Sequence, residues 1–238
     1  MPNHITVAID GYSGVGKSST AKAVARELGY TYVDSGAMYR AVTLHFLRND
    51  VELTDAAAVD QALADVQIGF QPHPEGAGYE TLLNGENVEQ EIRSMRVSNH
   101  VSPVSALPVV REKMVALQRQ LGAGRRVVMD GRDIGTRVFP RAELKVFMTA
   151  DPAVRARRRQ AELREKGQTV AVSDIERNLL QRDELDTSRE ESPLAKASDA
   201  VTLDTTHLSF EAQVQQVVDW ARAIIHSSNE QLPDGSNH

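Results

Sequence analysis

The stretch Gly11-Tyr12-Ser13-Gly14-Val15-Gly16-Lys17-Ser18 fits the pattern G-x-x-x-x-G-K-[ST] at every position. Before it comes a β-branched run, Ile5 to Asp10, that reads as a buried strand. After it comes Lys17 to Gly29, with helical spacing and Gly29 as a stop signal. Strand, glycine loop and helix in that order restrict the fold more than any other feature of the chain. Glycines let the backbone curl until successive N–H groups converge on phosphate oxygens. The helix starting near Lys17 adds the positive end of its dipole, and the Lys17 ammonium reaches the β- and γ-phosphates. A flexible turn ahead of an ordinary helix is the alternative, and the flanking strand and helix argue against it. Gly11, Tyr12, Ser13, Gly14, Val15, Gly16, Lys17, Ser18 and Ser19 are therefore expected to hold the tail of a nucleoside triphosphate, with the Ser18 hydroxyl on Mg²⁺.

The strand–helix order repeats. Tyr30 to Asp34 reads as a second strand, and in the segment after it Ala37, Ala41, Leu44 and Leu47 fall on one helical face. Arg125 to Asp130, Leu144 to Ala150 and Ala200 to Asp204 supply further apolar strands separated by helix-length segments. Such alternation predicts an α/β fold, a parallel sheet with helices on both faces. The pattern changes between 51 and 122. Val66 to Phe70 and Tyr79 to Arg93 read as short strands around an Asn84-Gly85 turn, and Val109 to Leu121 as a helix. This segment is expected to be an inserted subdomain. Segments 1–50, 123–150 and 195–226 would then form the core domain, and 151–194 a lid and the helix after it, where Ser173 and Glu176 have capping-box spacing. The last helix is predicted over Ser209 to His226, with 227–238 as a frayed, disordered tail.

Composition excludes several classes. A net charge of -6 over 238 residues disfavours a protein that coats nucleic acid, which needs a basic surface to release counterions. With no cysteine, neither a disulfide framework nor a thiolate metal site is possible. The N-terminus lacks the basic start and apolar core of a secretion signal, and the apolar runs are strand-sized, so a cytoplasmic protein with no membrane partner is expected.

The arginines bear on what becomes of the triphosphate. There is no guanine-reading N-K-x-D stretch. A small-molecule kinase needs a second pocket of arginines to bind an acceptor phosphate and steady the transferring group. Asp34 and Arg40 follow the second strand, and Asp130, Arg132 and Asp133 the third, at strand carboxyl ends where open α/β sheets bind ligands. Asp130 and Asp34 are either holders of the metal's waters or strand-end carboxylates paired with arginines; both readings stand. Arg155, Arg157, Arg158, Arg159, Arg164 and Lys166 crowd together after the fourth strand. A solvated helix face paired with Glu162 and Glu165 is the plain reading. The position favours a mobile lid that excludes water. Arg182, Asp183, Asp186 and Arg189 follow, as a further part of the site or as an exposed charged helix.

In the residues "DSGAMYR", "EIRS", "SALPVVRE", "DGRDIGTRVFP", "RDELDTSREESPL" and "AVTLDTT", together with the glycine loop, the chain resembles the bacterial cytidylate kinases, of the nucleoside monophosphate kinase family with its P-loop fold. The resemblance covers nearly everything except the tail. It implies a core domain, an arginine-rich lid and an enlarged monophosphate-binding domain matching 51–122. It implies a monomer that transfers the γ-phosphoryl group of ATP to CMP or dCMP, in line, with Mg²⁺ and no covalent intermediate. It implies that Ser102, Arg111 and Asp133 read the cytosine edge and that Asp186, with Arg182 nearby, holds the sugar hydroxyls. Ser35, Arg40 and Arg132 would grip the acceptor phosphate, and Arg189, Arg155 and Arg158 the transferred group, alongside Lys17. Tyr12 and Val15 depart from the proline and alanine frequent in related kinases. Only backbone groups matter there, so little effect is expected.

The cytosine site has a physical rationale of its own. A carboxylate such as Asp133 accepts from the exocyclic amine of cytosine, whereas uracil would set a carbonyl against it. Such an unpaired group costs about 1 to 3 kcal/mol, or about tenfold to a hundredfold in preference. The rival readings are another P-loop kinase, acting on a non-nucleotide acid or sugar, and a nucleotide-driven switch that gates a partner.

Overall fold

A computed structural model describes residues 4–72, 79–124, 126–165 and 167–230. The chain opens with β1 (Thr6–Gly11), the glycine loop, α1 (Lys17–Leu28), β2 (Thr31–Asp34) and α2 (Ser35–Arg48). An excursion follows through α3 (Ala56–Ala64), the antiparallel strands β3 (Ile68–Pro72), β4 (Tyr79–Leu83) and β5 (Glu86–Asn87), then α4 (Met95–Ala106) and α5 (Pro108–Leu121). The chain re-enters the main sheet in β6 (Val127–Gly131), makes a π-helical turn at Ile134–Val138, and continues as β7 (Leu144–Thr149) and the helical hairpin α6 (Pro152–Glu165) and α7 (Val172–Ser188). It closes with β8 (Val201–Asp204) and α8 (Phe210–Glu230).

The main sheet runs β2-β6-β1-β7-β8 with every neighbouring pair parallel. Its register sets Asp10 beside Gly131 and Asp34 beside Asp130, so the glycine loop and the turns after β2 and β6 emerge along one edge. Side chains alternate across a strand. Val7 and Ile9 of β1 join the core under α1 and α8, and Ala8 joins the core built with α2, α4 and α5. Helices thus cover both faces, as the strand–helix alternation predicts. A small cluster of Ala156, Leu163, Ile175 and Leu179 holds α6 against α7. Among the described residues no helix is long and apolar enough to cross a membrane.

Several elements differ from expectation. Helices α3 and α4 escape sequence reading; α4 is rich in serine and carries Pro103, and only Val97, Val101 and Val104 mark its buried face. Ser94 caps it by accepting the Val97 N–H. The Ser173/Glu176 capping box does not form: α7 begins at Val172, the Ala171 carbonyl accepts from Asp174 and Ile175, and Ser173 lies inside the first turn. The strand predicted from Val66 runs instead over Ile68–Pro72. The Asn84-Gly85 turn is found, both residues in the left-handed region at φ 51 and 83 that a tight hairpin requires. Helix α8 continues beyond His226 to Glu230. Arg125, Lys166 and tail positions 231–238 lie outside the described residues.

Candidate active site

The glycine loop connects β1 to α1 at the carboxyl edge of the sheet. Gly14 and Gly16 take positive φ, 74 and 90, conformations that glycine adopts without strain. Gly16 precedes α1 with no side-chain cap, so the first N–H groups of the helix are left for an anion. Lys17 is buried, its ammonium donating to the Tyr12 carbonyl at 2.6 Å. Burial, and then the charge of Arg132, push its pKa down to about 7.

Two carboxylates flank the loop. Asp130, at the end of β6, accepts from the Ser18 hydroxyl at 2.9 Å and from the Tyr32 hydroxyl at 2.9 Å. Burial, and then the Asp34 charge, raise it to about 7. Asp34 is committed elsewhere: one oxygen accepts the Ala37 N–H as the cap of α2, and the other pairs with Arg93 at 2.7 Å. Burial alone would raise this carboxyl, but Arg93 outweighs it and the pKa lies below the ordinary value. Of the two readings the sequence leaves open for these acids, the structure pairs Asp34 with an arginine and sets Asp130 against the Ser18 hydroxyl.

Across a cavity of about 670 Å³ from the loop lies a second group of cations. Arg40, on α2, donates to the Ile92 carbonyl at 2.8 Å and the Ser98 hydroxyl at 3.3 Å. Burial, then Arg182, Arg93 and Arg159, hold it well below the usual arginine range. Arg182 falls to about 10, through burial and then Arg132. Among the described residues no ion pair joins Arg40 or Arg182 to a carboxylate, and like charges so close together call for an anion.

The remaining wall pairs charges internally. Arg111 forms a buried ion pair with Asp133 and donates to the Ser105 carbonyl at 3.1 Å. The Tyr39 ring lies 5.5 Å from the Arg111 guanidinium. Asp186 accepts from Ser102 at 3.2 Å and from Arg132 at 2.7 Å, and Arg132 also donates to the Ser13 hydroxyl at 2.6 Å. Arg189 approaches Asp133 at 3.9 Å and Asp186 at 4.0 Å. Ser35 donates its hydroxyl to the Asp130 carbonyl at 2.6 Å. Residues from α2, α4, α5, α7 and the turn after β6 thus meet on one cavity with the glycine loop.

The sequence model of the cytidylate kinase family matches residues 7–223. The chain belongs to the cytidylate kinase family. It is 54% identical over 217 residues to the cytidylate kinase of Cytophaga hutchinsonii, covering 91% of this chain and 93% of that one. It is also 54% identical over 212 residues to that of Bacteroides thetaiotaomicron, covering 88% and 93%, and 48% identical over 218 residues to that of Flavobacterium psychrophilum, covering 90% and 96%.

Within this cytidylate kinase fold two arginines of α6 differ from expectation. Arg155 and Arg158 do not line the cavity. Arg155 is buried in an ion pair with Asp183, and Arg158 donates to the Thr205 hydroxyl and carbonyl at 3.0 and 2.6 Å. Arg159 lines the cavity instead. Arg155 and Arg159 lie four residues apart on one side of α6, but Arg155 is spent on Asp183 and the Ser13 carbonyl, whereas Arg158, about 100° round from Arg159, turns to Thr205. The Tyr12 side chain also does more than expected, packing edge-on against Phe147 at 5.8 Å and lying 5.5 Å from the Arg155 guanidinium. Asp10 escaped sequence reading altogether. From the end of β1 its two oxygens accept the Ile134 and Gly135 N–H groups at 2.8 and 2.7 Å, anchoring the turn that carries Asp133. The only signal was a carboxylate at a strand end.

Proposed function

We propose that this chain transfers the γ-phosphoryl group of ATP to CMP or dCMP, giving ADP and CDP or dCDP. The observation that carries this reading is the pair of anion sites on one cavity, the glycine loop on one side and, on the other, Arg40 and Arg182, which form no ion pair among the described residues. In-line transfer between two phosphates is positioning and charge neutralisation, and needs no covalent intermediate. Lys17 and the loop amides bind the donor tail. Arg40, Arg182 and Ser35 bind the acceptor phosphate, with Arg132, tied to Ser13 of the loop, between the two. Arg189 and Arg159 complete the positive wall. Asp186, held by Ser102 and Arg132, faces the sugar.

The base end explains the choice of pyrimidine. Asp133 accepts from the exocyclic amine of cytosine, and Arg111 donates to its ring nitrogen or carbonyl. Uracil leaves the carboxylate facing an oxygen. For Mg²⁺ the oxygen donors fit: a serine hydroxyl and a carboxylate meet at Ser18 and Asp130, and Mg²⁺ typically takes one or two carboxylates together with substrate phosphates. Ser18 and Asp130 would hold the ion, whereas both oxygens of Asp34 are engaged. Bound there, the ion would neutralise phosphate charge. This reading needs no group beyond those of one chain, so a monomer would suffice for it.

The test is ADP release from MgATP with each common nucleoside monophosphate in turn. CMP and dCMP should turn over fast and UMP slowly, and Lys17→Ala should abolish transfer. Equal rates with AMP or GMP would overturn the base assignment.

A further inference from the structure

Asp183 takes no part in the reading above, yet it is 8% exposed and sits at the junction of lid and glycine loop. One of its oxygens accepts the Ser13 N–H at 3.0 Å. The other pairs with Arg155, whose guanidinium also donates to the Ser13 carbonyl at 3.1 Å. Both backbone polar groups of Ser13 are thus held by the lid, one by α7 and one by α6. Ser13 itself is 2% exposed, and its hydroxyl receives Arg132 at 2.6 Å.

The packing around this junction points the same way. The Tyr12 ring lies against Arg155, so the cation is bounded by an aromatic face and by its carboxylate. At Gly14 an added Cβ would come within 3.4 Å of both Arg155 Cβ and the Leu179 methyls. The lid helices press on the loop at Gly14, the residue after the one that Asp183 and Arg155 grip. Three glycines leave this loop only Tyr12, Ser13 and Val15 with which to fix its own shape, and a freely moving cradle loses binding energy when it must order around a ligand.

We propose that Asp183 is a positioning residue for the triphosphate: with Arg155 as counter-charge and Tyr12 as the surface beneath it, it clamps Ser13 and so presets the glycine loop for the donor. Asp183 touches no phosphate in this arrangement; it acts through the Ser13 backbone. The clamp also ties lid position to loop shape, because the contacts that dock α6 and α7 are the contacts that hold Ser13. The proposal rests on the reading of the loop as the donor site.

The test separates donor from acceptor. In Asp183→Asn the amide can still accept the Ser13 N–H, but Arg155 loses its counter-charge. In the double variant Arg155→Met/Asp183→Leu the buried pair is replaced by apolar groups of similar size, which avoids an unpaired buried charge, while the Ser13 N–H loses its acceptor and its carbonyl loses the Arg155 donor. Steady-state KM values are measured for ATP and CMP separately, with melting curves for each variant. The double variant should stay folded, melting about 2–12 °C lower for the orphaned Ser13 backbone, and raise the KM for ATP about tenfold, the loss of about one charge-assisted hydrogen bond. Its KM for CMP should stay within about twofold. Asp183→Asn should give a smaller rise in the same direction. A double variant that keeps the wild-type KM for ATP, or raises both KM values equally, overturns the clamp. Lys17→Ala distinguishes the two readings: if its ATP binding is unchanged, the donor site itself is misassigned, whereas loss of ATP binding with an unaffected double variant sinks only the clamp.

Discussion

Asp133→Ala separates recognition from stability at the base end of the cavity. Arg111 and Asp133 are 4% and 3% exposed and paired with each other, and Arg189 lies 3.9 Å from the same carboxylate. Removing Asp133 leaves a buried guanidinium without its partner, which costs about 3–5 kcal/mol. For a chain of this size about 2–4 °C of melting temperature goes with each kcal/mol, so a fall of about 6–20 °C is expected. Independently, the amine of cytosine loses its acceptor, and the ratio of kcat/KM for CMP over UMP should fall about tenfold to a hundredfold. The two effects part in Arg111→Met/Asp133→Leu, which exchanges the buried pair for apolar packing. That variant should recover most of the melting temperature and none of the discrimination. The assay is a thermal melt of each variant, followed by coupled measurement of ADP release with CMP and with UMP. If Asp133→Ala melts lower yet keeps the wild-type ratio, Asp133 is a structural partner of Arg111 and does not read the base.

Asp10 supplies a pH test. Burial, partly offset by the Gly135 and Ile134 N–H groups, raises its pKa from 3.8 to about 6. A raised folded-state value means a contribution fully present below about pH 4 and lost as pH rises through about 6, about 3 kcal/mol in all. Asp10→Asn removes this titration, so between pH 4 and 7 the unfolding free energy of the variant should gain on that of the wild type; a constant difference would disprove it. The placement of the α6 arginines is checked by paired substitutions. Arg159→Ala should lower kcat/KM at least about tenfold, while Arg158→Ala should leave turnover within about twofold and cost stability through two lost hydrogen bonds. Equal losses of activity in both would contradict the geometry. Tyr39→Leu, which takes the ring from beneath Arg111, should raise the KM for CMP about threefold to tenfold with the KM for ATP unchanged. Tyr39→Phe should restore it, and a Phe variant as impaired as Leu would place the effect in the hydroxyl.

Much of the fold was legible because strands and the glycine loop obey local rules. The strands β1, β2, β6, β7 and β8 are short apolar runs, and the loop between β1 and α1 needs its glycines in order. The inserted helices were less legible. Helix α4 has few apolar residues and an internal proline, and it is helical because Val97, Val101 and Val104 find α2 and α5 to pack on. The expected capping box at Ser173 failed because α7 starts one residue earlier, where the Ala171 carbonyl is free to accept.

The candidate site divides in the same manner. Residue type and spacing alone pointed to a triphosphate loop and to arginines at strand ends, because phosphate binding demands N–H groups and cations in any fold. Which arginines face the cavity, and which carboxylates they already hold, was not written in the run from 155 to 159: Arg155 and Arg159 share a side of α6, and only Asp183, brought over by α7, takes Arg155 out of the cavity. Asp34 and Asp130 read alike in sequence, at the ends of neighbouring strands. Only the presence of Arg93, brought beside Asp34 by the excursion through β5 and the turn after it, tells them apart. Chain chemistry by itself determined that this protein binds phosphates; tertiary packing decided which charges are spent on holding the protein together and which are left for a substrate, since pairing depends on distances across the fold that no local pattern encodes.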